Sequence, residues 1–280
     1  MSARVTGMLV SFRVTSRTFV FVFGVVAIGV STEAPAQSSG AVPPAVDATI
    51  AFTPGDGPRS YRLHVPAGYA GEIVPLVLNF HSAGGTPEGQ AATSGFDTIA
   101  DREGFIVVYP EGIFDNGLAT RTWNANAGEG VDDVQFARDV IEDIAAKFPI
   151  DRGRIYATGF AAGALIASRL ACALSDVLAA AAPVAGLQYP DDCLPSSPVS
   201  IVAFHGRADE VAAQKWRSAL GCPEGAMDGG FRNAPGVVLR VWPPCAGGAD
   251  LMIYISETDG HAWPEGASER IWAFFEAHPR

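Results

Sequence analysis

The chain has 280 residues, with 19 Lys and Arg against 30 Asp and Glu and a formal charge of −11 at pH 7. An acidic surface without a Lys/Arg cluster repels phosphate backbones, which argues against nucleic acid as a partner. The length fits one domain with a full core.

The first residues read as a leader. Arg4, Arg13 and Arg17 precede an apolar run from Phe19 to Val30, and Ala34-Pro35-Ala36 then supplies small residues for cleavage. This is the pattern of a secretory signal peptide over residues 1–36. The run is too short for a membrane span, which needs roughly 20 apolar residues, and no later stretch is long and apolar enough to cross. Removing those residues takes away three Arg and Glu33, so −11 becomes −13. Residues 37–46 read as a flexible leader and residues 47–280 as a single domain. All four cysteines, Cys172, Cys193, Cys222 and Cys245, lie in the exported part. An even count in an exported chain suggests disulfides. Of the three possible pairings, the sequential one, Cys172 with Cys193 and Cys222 with Cys245, is favoured. No Cys-x-x-Cys or His-rich spacing supports zinc, so no metal is expected.

In chain order, strands are expected near 48–53 and 59–65, joined by Pro54-Gly55-Asp56-Gly57. Apolar, β-branched runs follow at Val74–Phe80, Phe105–Tyr109, Arg154–Thr158, Val199–Phe204, Val237–Val241 and Leu251–Ile255. Continuous apolar runs of this length suit strands buried on both faces of a parallel sheet. Helices are expected at Ser94–Glu103, Asp132–Phe148 with Asp132 or Asp133 as N-cap, Ala161–Leu174 and Ser268–His278. Strands alternating with helices imply an α/β fold with right-handed crossovers. In such sheets ligands sit outside the carboxyl ends of the strands, so the strand-exit loops are where chemistry is sought.

Four of those loops carry capable residues. His81-Ser82-Ala83-Gly84-Gly85 follows Val74–Phe80. Gly159-Phe160-Ala161-Ala162-Gly163 follows Arg154–Thr158 and has the layout of a nucleophile elbow, Gly-x-Ser-x-Gly, with alanine where the serine belongs. His205-Gly206-Arg207-Ala208-Asp209 follows Val199–Phe204. Asp259-Gly260-His261-Ala262-Trp263-Pro264 follows Leu251–Ile255. The order of nucleophile position (161), acid (209) and base (261) is that of α/β-hydrolase triads and differs from the two main serine-protease orders. In these roles His261 takes a proton, Asp209 orients its imidazole, and the backbone N–H of Ala162 with one from Ser82 or Ala83 stabilises an oxyanion. Gly159 and Gly163 taken alone read equally as close strand–helix packing, Asp209 as a surface acid and His261 as a structural histidine; the shared order and strand-exit context favour the triad scaffold. His205 reads as packed against the sheet, His64 and His278 as surface or packing residues, and Asp132-Asp133 as a helix start. Trp123 and Trp263 are candidates to line a substrate pocket, and read equally as core or rim packing.

The chain resembles the secreted esterases of the polyhydroxybutyrate depolymerase and feruloyl esterase type. The matching segments include Tyr61-Arg62-Leu63-His64-Val65-Pro66, Pro75–His81, Gly104–Gly112, Val131-Asp132-Asp133-Val134, Tyr156-Ala157-Thr158-Gly159, Ala182-Pro183-Val184-Ala185-Gly186, Phe204-His205-Gly206 and Gly260–Pro264. They cover nearly all of residues 58–278. The resemblance implies an α/β-hydrolase fold with a mostly parallel central sheet, export, no metal or organic cofactor, and cleavage of carboxylic esters through an acyl-enzyme. It places the acid at Asp209, the base at His261 and the serine position at Ala161. Departures gather at the site: Ser82 and Ala164 replace glycines, and Glu210–Gln214 lacks an expected Pro- and Gly-rich loop.

Alanine has no attacking oxygen, so no acyl-enzyme forms. Three readings follow: an ester hydrolase impaired at its nucleophile, a secreted pseudoenzyme that holds an ester, or an esterase with Ser82 as displaced nucleophile. The expected partner is a neutral or apolar ester, small or polymeric, and the expected state a monomer.

Overall fold

The computed structural model describes residues 44–53, 57–115, 117–126, 130–206, 210–225, 227–230, 237–242, 244–256 and 261–280. The expected signal peptide and most of the following leader lie outside them. The elements run β1 (Val46–Phe52), β2 (Arg59–Val65), β3 (Val74–Phe80), α1 (Pro87–Ser94), α2 (Phe96–Glu103), β4 (Ile106–Pro110), β5 (Ile113–Asp115), β6 (Thr120–Thr122), α3 (Asp133–Lys147), β7 (Ile150–Phe160), α4 (Ala162–Ala173), β8 (Ala180–Val184), β9 (Ser200–Gly206), α5 (Glu210–Ala219), β10 (Met227–Gly230), β11 (Val237–Trp242), β12 (Leu251–Ser256) and α6 (Ala267–Ala277).

Ten strands form one sheet in the order β1-β2-β4-β3-β7-β8-β9-β12-β11-β10. The run from β4 to β12 is parallel, and the strands outside it at either edge are antiparallel. β5 and β6 form a separate hairpin. This is an α/β-hydrolase fold, with a mostly parallel central sheet between helices.

The apolar strands explain the layering. In β3 all seven residues are buried. Leu76, Leu78 and Phe80 join one core with Phe136, Ile141 and Ile144 of α3 and Ile166 and Leu170 of α4. Val77 points the other way, into a core with Phe96 and Ile99 of α2 and Ile271 and Phe275 of α6. Period-two alternation thus feeds both faces of the sheet. A third core lies around β9 and β12, with Trp216 of α5 fully buried. Both disulfides border it: Cys172 is joined to Cys193, and Cys222 to Cys245.

Several elements differ from expectation. The helix expected over Ser94–Glu103 starts at Phe96, and an unexpected helix, α1, precedes it; Gly95 at φ 63 ends α1 and starts α2 in a left-handed conformation. β8 was not expected, since alanine favours helix and a proline argues against a central strand. Pro183 sits near the strand's end, opposite Gly159, where a missing N–H matters least. α5 occupies Glu210–Ala219, where the family resemblance implies a Pro- and Gly-rich loop. His64 is 2% exposed, and its two ring nitrogens meet Asp47 Oδ1 at 2.8 Å and Asp101 Oδ1 at 3.1 Å, tying β1 and α2 to β2. Among the described residues no helix is long and apolar enough to cross a membrane.

Candidate active site

β7 ends at Phe160 and α4 begins at Ala162, so one residue makes the turn. That residue, Ala161, has φ 52 and ψ −111. This is the mirror image of an ordinary extended conformation, which glycine enters freely and a residue with a Cβ enters at a cost of about 1–3 kcal/mol. The surroundings enforce it. Ala161 N–H donates to Val184 O at 3.0 Å, and Ala161 O accepts from Ala164 and Leu165 N–H at 2.9 and 3.1 Å. A Cβ on Gly163 would overlap Phe80 O, and one on Gly159 would overlap Gly163 O. The glycines are therefore needed for backbone contact between β3, β7 and α4, and that contact is what forms the elbow. Helix α4 has no side-chain cap, so its first N–H groups, beginning with Ala162, present a partial positive charge at the turn.

The loop after β3 lies against this turn: a Cβ on Gly163 would also come within 2.8 Å of His81 O. His81 is 1% exposed. Its Nε2 accepts from Gly112 N–H at 2.9 Å, so Nδ1 carries the proton and donates to Ser82 O at 2.7 Å. Burial pushes the His81 imidazole below the ordinary histidine value, which keeps it in this neutral, single-tautomer form. Ser82 O also accepts from Gly85 N–H at 2.9 Å, and Gly84 N–H donates to Arg121 O of β6 at 2.8 Å. Ser82 is half-buried and Ala83 exposed.

On the other side, His261 is exposed and its ring lies 5.2 Å from that of Phe160, tilted by 36°. Trp263 is half-buried, 6.4 Å from Phe160 and edge-on to it, and its Nε1 donates to Ser268 Oγ at 2.9 Å. Both rings thus gather on Phe160, the residue that directly precedes Ala161.

The predicted site residues fall as follows. Ala161 and Ala162 form the elbow, Ser82 and Ala83 the adjoining loop, and His261 and Trp263 the aromatic side. Asp209 lies outside the described residues; β9 ends at Gly206, three residues before it. Trp123 is 7% exposed and sits beneath the β3 loop, its Nε1 donating to His81 O at 2.8 Å. His205 is 4% exposed, as its place at a strand end suggested. Two residues had no role assigned from the sequence. Phe160 is the variable position of the elbow pattern, which carries no type signal. His81 stands between a buried strand and a small-residue loop, and that placement was the available hint. Among the described residues one His/Asp group, Asp47, His64 and Asp97, has metal-like spacing. It lies on β1, β2 and α2, and Arg62 Nη2 already engages both of its carboxylates at 2.8 and 2.7 Å.

The family model described as esterase PHB depolymerase matches residues 59–230. The chain is 29% identical over 246 residues to feruloyl esterase B of Piromyces equi, covering 77% of this chain and 44% of that protein. It is 27% identical over 227 residues to the bifunctional acetylxylan esterase/xylanase XynS20E of Neocallimastix patriciarum, covering 77% and 33%. It is 31% identical over 183 residues to poly(3-hydroxyalkanoate) depolymerase C of Paucimonas lemoignei, covering 64% and 42%. The chain thus spans less than half the length of these relatives. Among solved structures, an acetyl xylan esterase from Aspergillus awamori shares the fold, with a TM-score of 0.64 at 16% identity over 81% of this chain and 99% of that one. With the family model covering more than half of the residues, the chain belongs to the esterase PHB depolymerase family.

Proposed function

We propose that this protein is a secreted, monomeric member of the family that binds a neutral or apolar carboxylic ester, and that hydrolysis by the acyl-enzyme route is closed at Ala161. The observation that carries the reading is the backbone of Ala161, φ 52 and ψ −111. The strained turn that presents a nucleophile is kept without the nucleophile. In this reading Ala162 N–H and an N–H of the Ser82–Ala83 loop bind the ester carbonyl oxygen, and Trp263 with Phe160 lines the acyl side. Trp123 contributes from below through His81. Asp209 and His261 keep the acid and base roles that their order in the chain assigns. The leader pattern and the two disulfides support export.

Without Oγ, the remaining route is attack by a water polarised by His261. The hole and binding alone give roughly a thousand- to ten-thousand-fold over water, whereas loss of the serine in a comparable triad costs on the order of a million-fold. Binding therefore outlasts turnover. The test is hydrolysis of a nitrophenyl ester by the wild type, Ala161→Ser and Ser82→Ala. The proposal expects a slow wild type, gain in Ala161→Ser and no loss in Ser82→Ala. Fast wild-type turnover that Ser82→Ala abolishes would move the nucleophile to Ser82 and overturn it.

A further inference from the structure

Asp132 and Asp133 open α3, but only the first acts as a cap: Asp132 Oδ1 accepts from Gln135 N–H at 2.9 Å. The Asp133 side chain is fully buried against Arg59 of β2, with Nη1 to Oδ1 at 2.6 Å and side-chain exposures of 3% and 0%. A buried ion pair is weak evidence of stability, because desolvation offsets the attraction. What such a pair has, and an apolar pair lacks, is direction. We propose that the Arg59–Asp133 pair is a positioning element that aims the peptide between Ser82 and Ala83 at the elbow. The inference rests on reading the Ser82–Ala83 loop as the oxyanion loop.

Two routes run from the pair, and both end at His81. On the Asp133 side, Oδ2 accepts from Asn124 N–H at 2.6 Å. The preceding residue, Trp123, donates from Nε1 to His81 O at 2.8 Å, and its ring lies 4.9 Å from the His81 ring. On the Arg59 side, Nη2 donates to Glu111 O at 3.1 Å. The next residue, Gly112, donates its N–H to His81 Nε2 at 2.9 Å. A Cβ on Gly112 would come within 2.6 Å of Thr122 O and 3.1 Å of His81 Cε1, so only glycine lets this N–H approach the ring. The guanidinium itself is held over Phe136 at 3.5 Å. His81 is thus fixed at both its carbonyl and its ring.

The ring passes the constraint on. Nδ1–H donates to Ser82 O at 2.7 Å, joined there by Gly85 N–H. In a trans peptide the N–H points opposite the carbonyl, so holding Ser82 O inward directs Ala83 N–H outward. The His81 carbonyl meanwhile faces Trp123 and the Gly163 side, so Ser82 N–H points away from the elbow. Of the two candidate donors, the geometry selects Ala83.

The experiment is nuclear magnetic resonance of the whole protein, comparing wild type with Arg59→Met/Asp133→Leu. That double change removes both charges together and leaves no buried ion unpaired. The readouts are the His81 ring nitrogen shifts and the Ala83, Ser82 and Ala162 amide shifts on titration with butyrate. The wild type is expected to show the single Nδ1–H tautomer, with Ala83 and Ala162 responding and Ser82 not. The double variant is expected to melt within a few degrees of the wild type or above it, to show mixed His81 tautomers, and to lose at least fivefold of the Ala83 response. A merely structural pair would move the melting temperature and leave the tautomer and the Ala83 response as they are, which would overturn the proposal. A Ser82 response without an Ala83 response would also overturn it. If the double variant does not fold, Asp133→Asn is used. It keeps an acceptor for Asn124 N–H and drops the charge, and an unchanged His81 signature in it likewise counts against the proposal. If butyrate moves no amide of the wild type, the ester-binding reading fails, while the His81 tautomer comparison still decides this one.

Discussion

Ala161 holds φ 52 and ψ −111 with a methyl group and no hydroxyl. In the chemistry the turn is built for, that strain exposes an oxygen; here it exposes nothing, so its cost should be recoverable. Ala161→Gly is expected to stabilise the fold by about 0.5–2 kcal/mol, since relief of about 1–3 kcal/mol of strain outweighs the added freedom of glycine in the unfolded chain. Thermal unfolding checks this, and a lower melting temperature would show that the turn is unstrained. His81 offers a second handle. Burial places its folded pKa below the ordinary histidine value of about 6.5. As pH falls the unfolded chain takes up the proton first, so the neutral ring's contribution is complete above about pH 6.5 and is lost as pH falls through the folded value. Chemical denaturation between pH 7.5 and 5 should show the wild type losing stability relative to His81→Asn. Parallel pH curves would contradict the assignment.

The elbow joins three elements by backbone contact. Gly163→Ala would drive a Cβ into Phe80 O, which forces β3 and α4 apart at a cost of about 3 kcal/mol or more. Circular dichroism melting would detect this; a loss under about 0.5 kcal/mol would mean that the elements are not in contact. At this scale much was legible in the chain. Val74–Phe80 is recovered with its bounds unchanged because a strand buried on both faces is uniformly apolar. The turn at Ala161 was legible because a Gly-x-x-x-Gly run at a strand exit marks a close strand-to-helix turn, while the acid and base roles of Asp209 and His261 stand as proposed. What sequence did not give has physical reasons. β8, Ala180–Val184, is built of residues that favour other structures and is a strand only because β7 and β9 flank it. The β5–β6 hairpin has three-residue strands, too short for periodicity to register. The buried partner of Asp133 is Arg59, 74 positions earlier, and no local pattern links them.

Cys172–Cys193 and Cys222–Cys245 close loops of 21 and 23 residues around the core near β9 and β12. Each should contribute about 3 kcal/mol by restricting the unfolded chain. Cys222→Ala/Cys245→Ala is therefore expected to unfold several degrees lower while leaving butyrate binding unchanged, as calorimetry and titration would show; an unchanged melting temperature would count against that contribution. The central proposal concerns the site itself: that the molecule retains the machinery of an esterase apart from one oxygen atom. The direct test is the rate of nitrophenyl butyrate hydrolysis by Ala161→Ser beside the wild type. A rise on the order of a thousandfold or more is the predicted result. A wild type that already turns over at an enzymatic rate, with no gain from the serine, would contradict it.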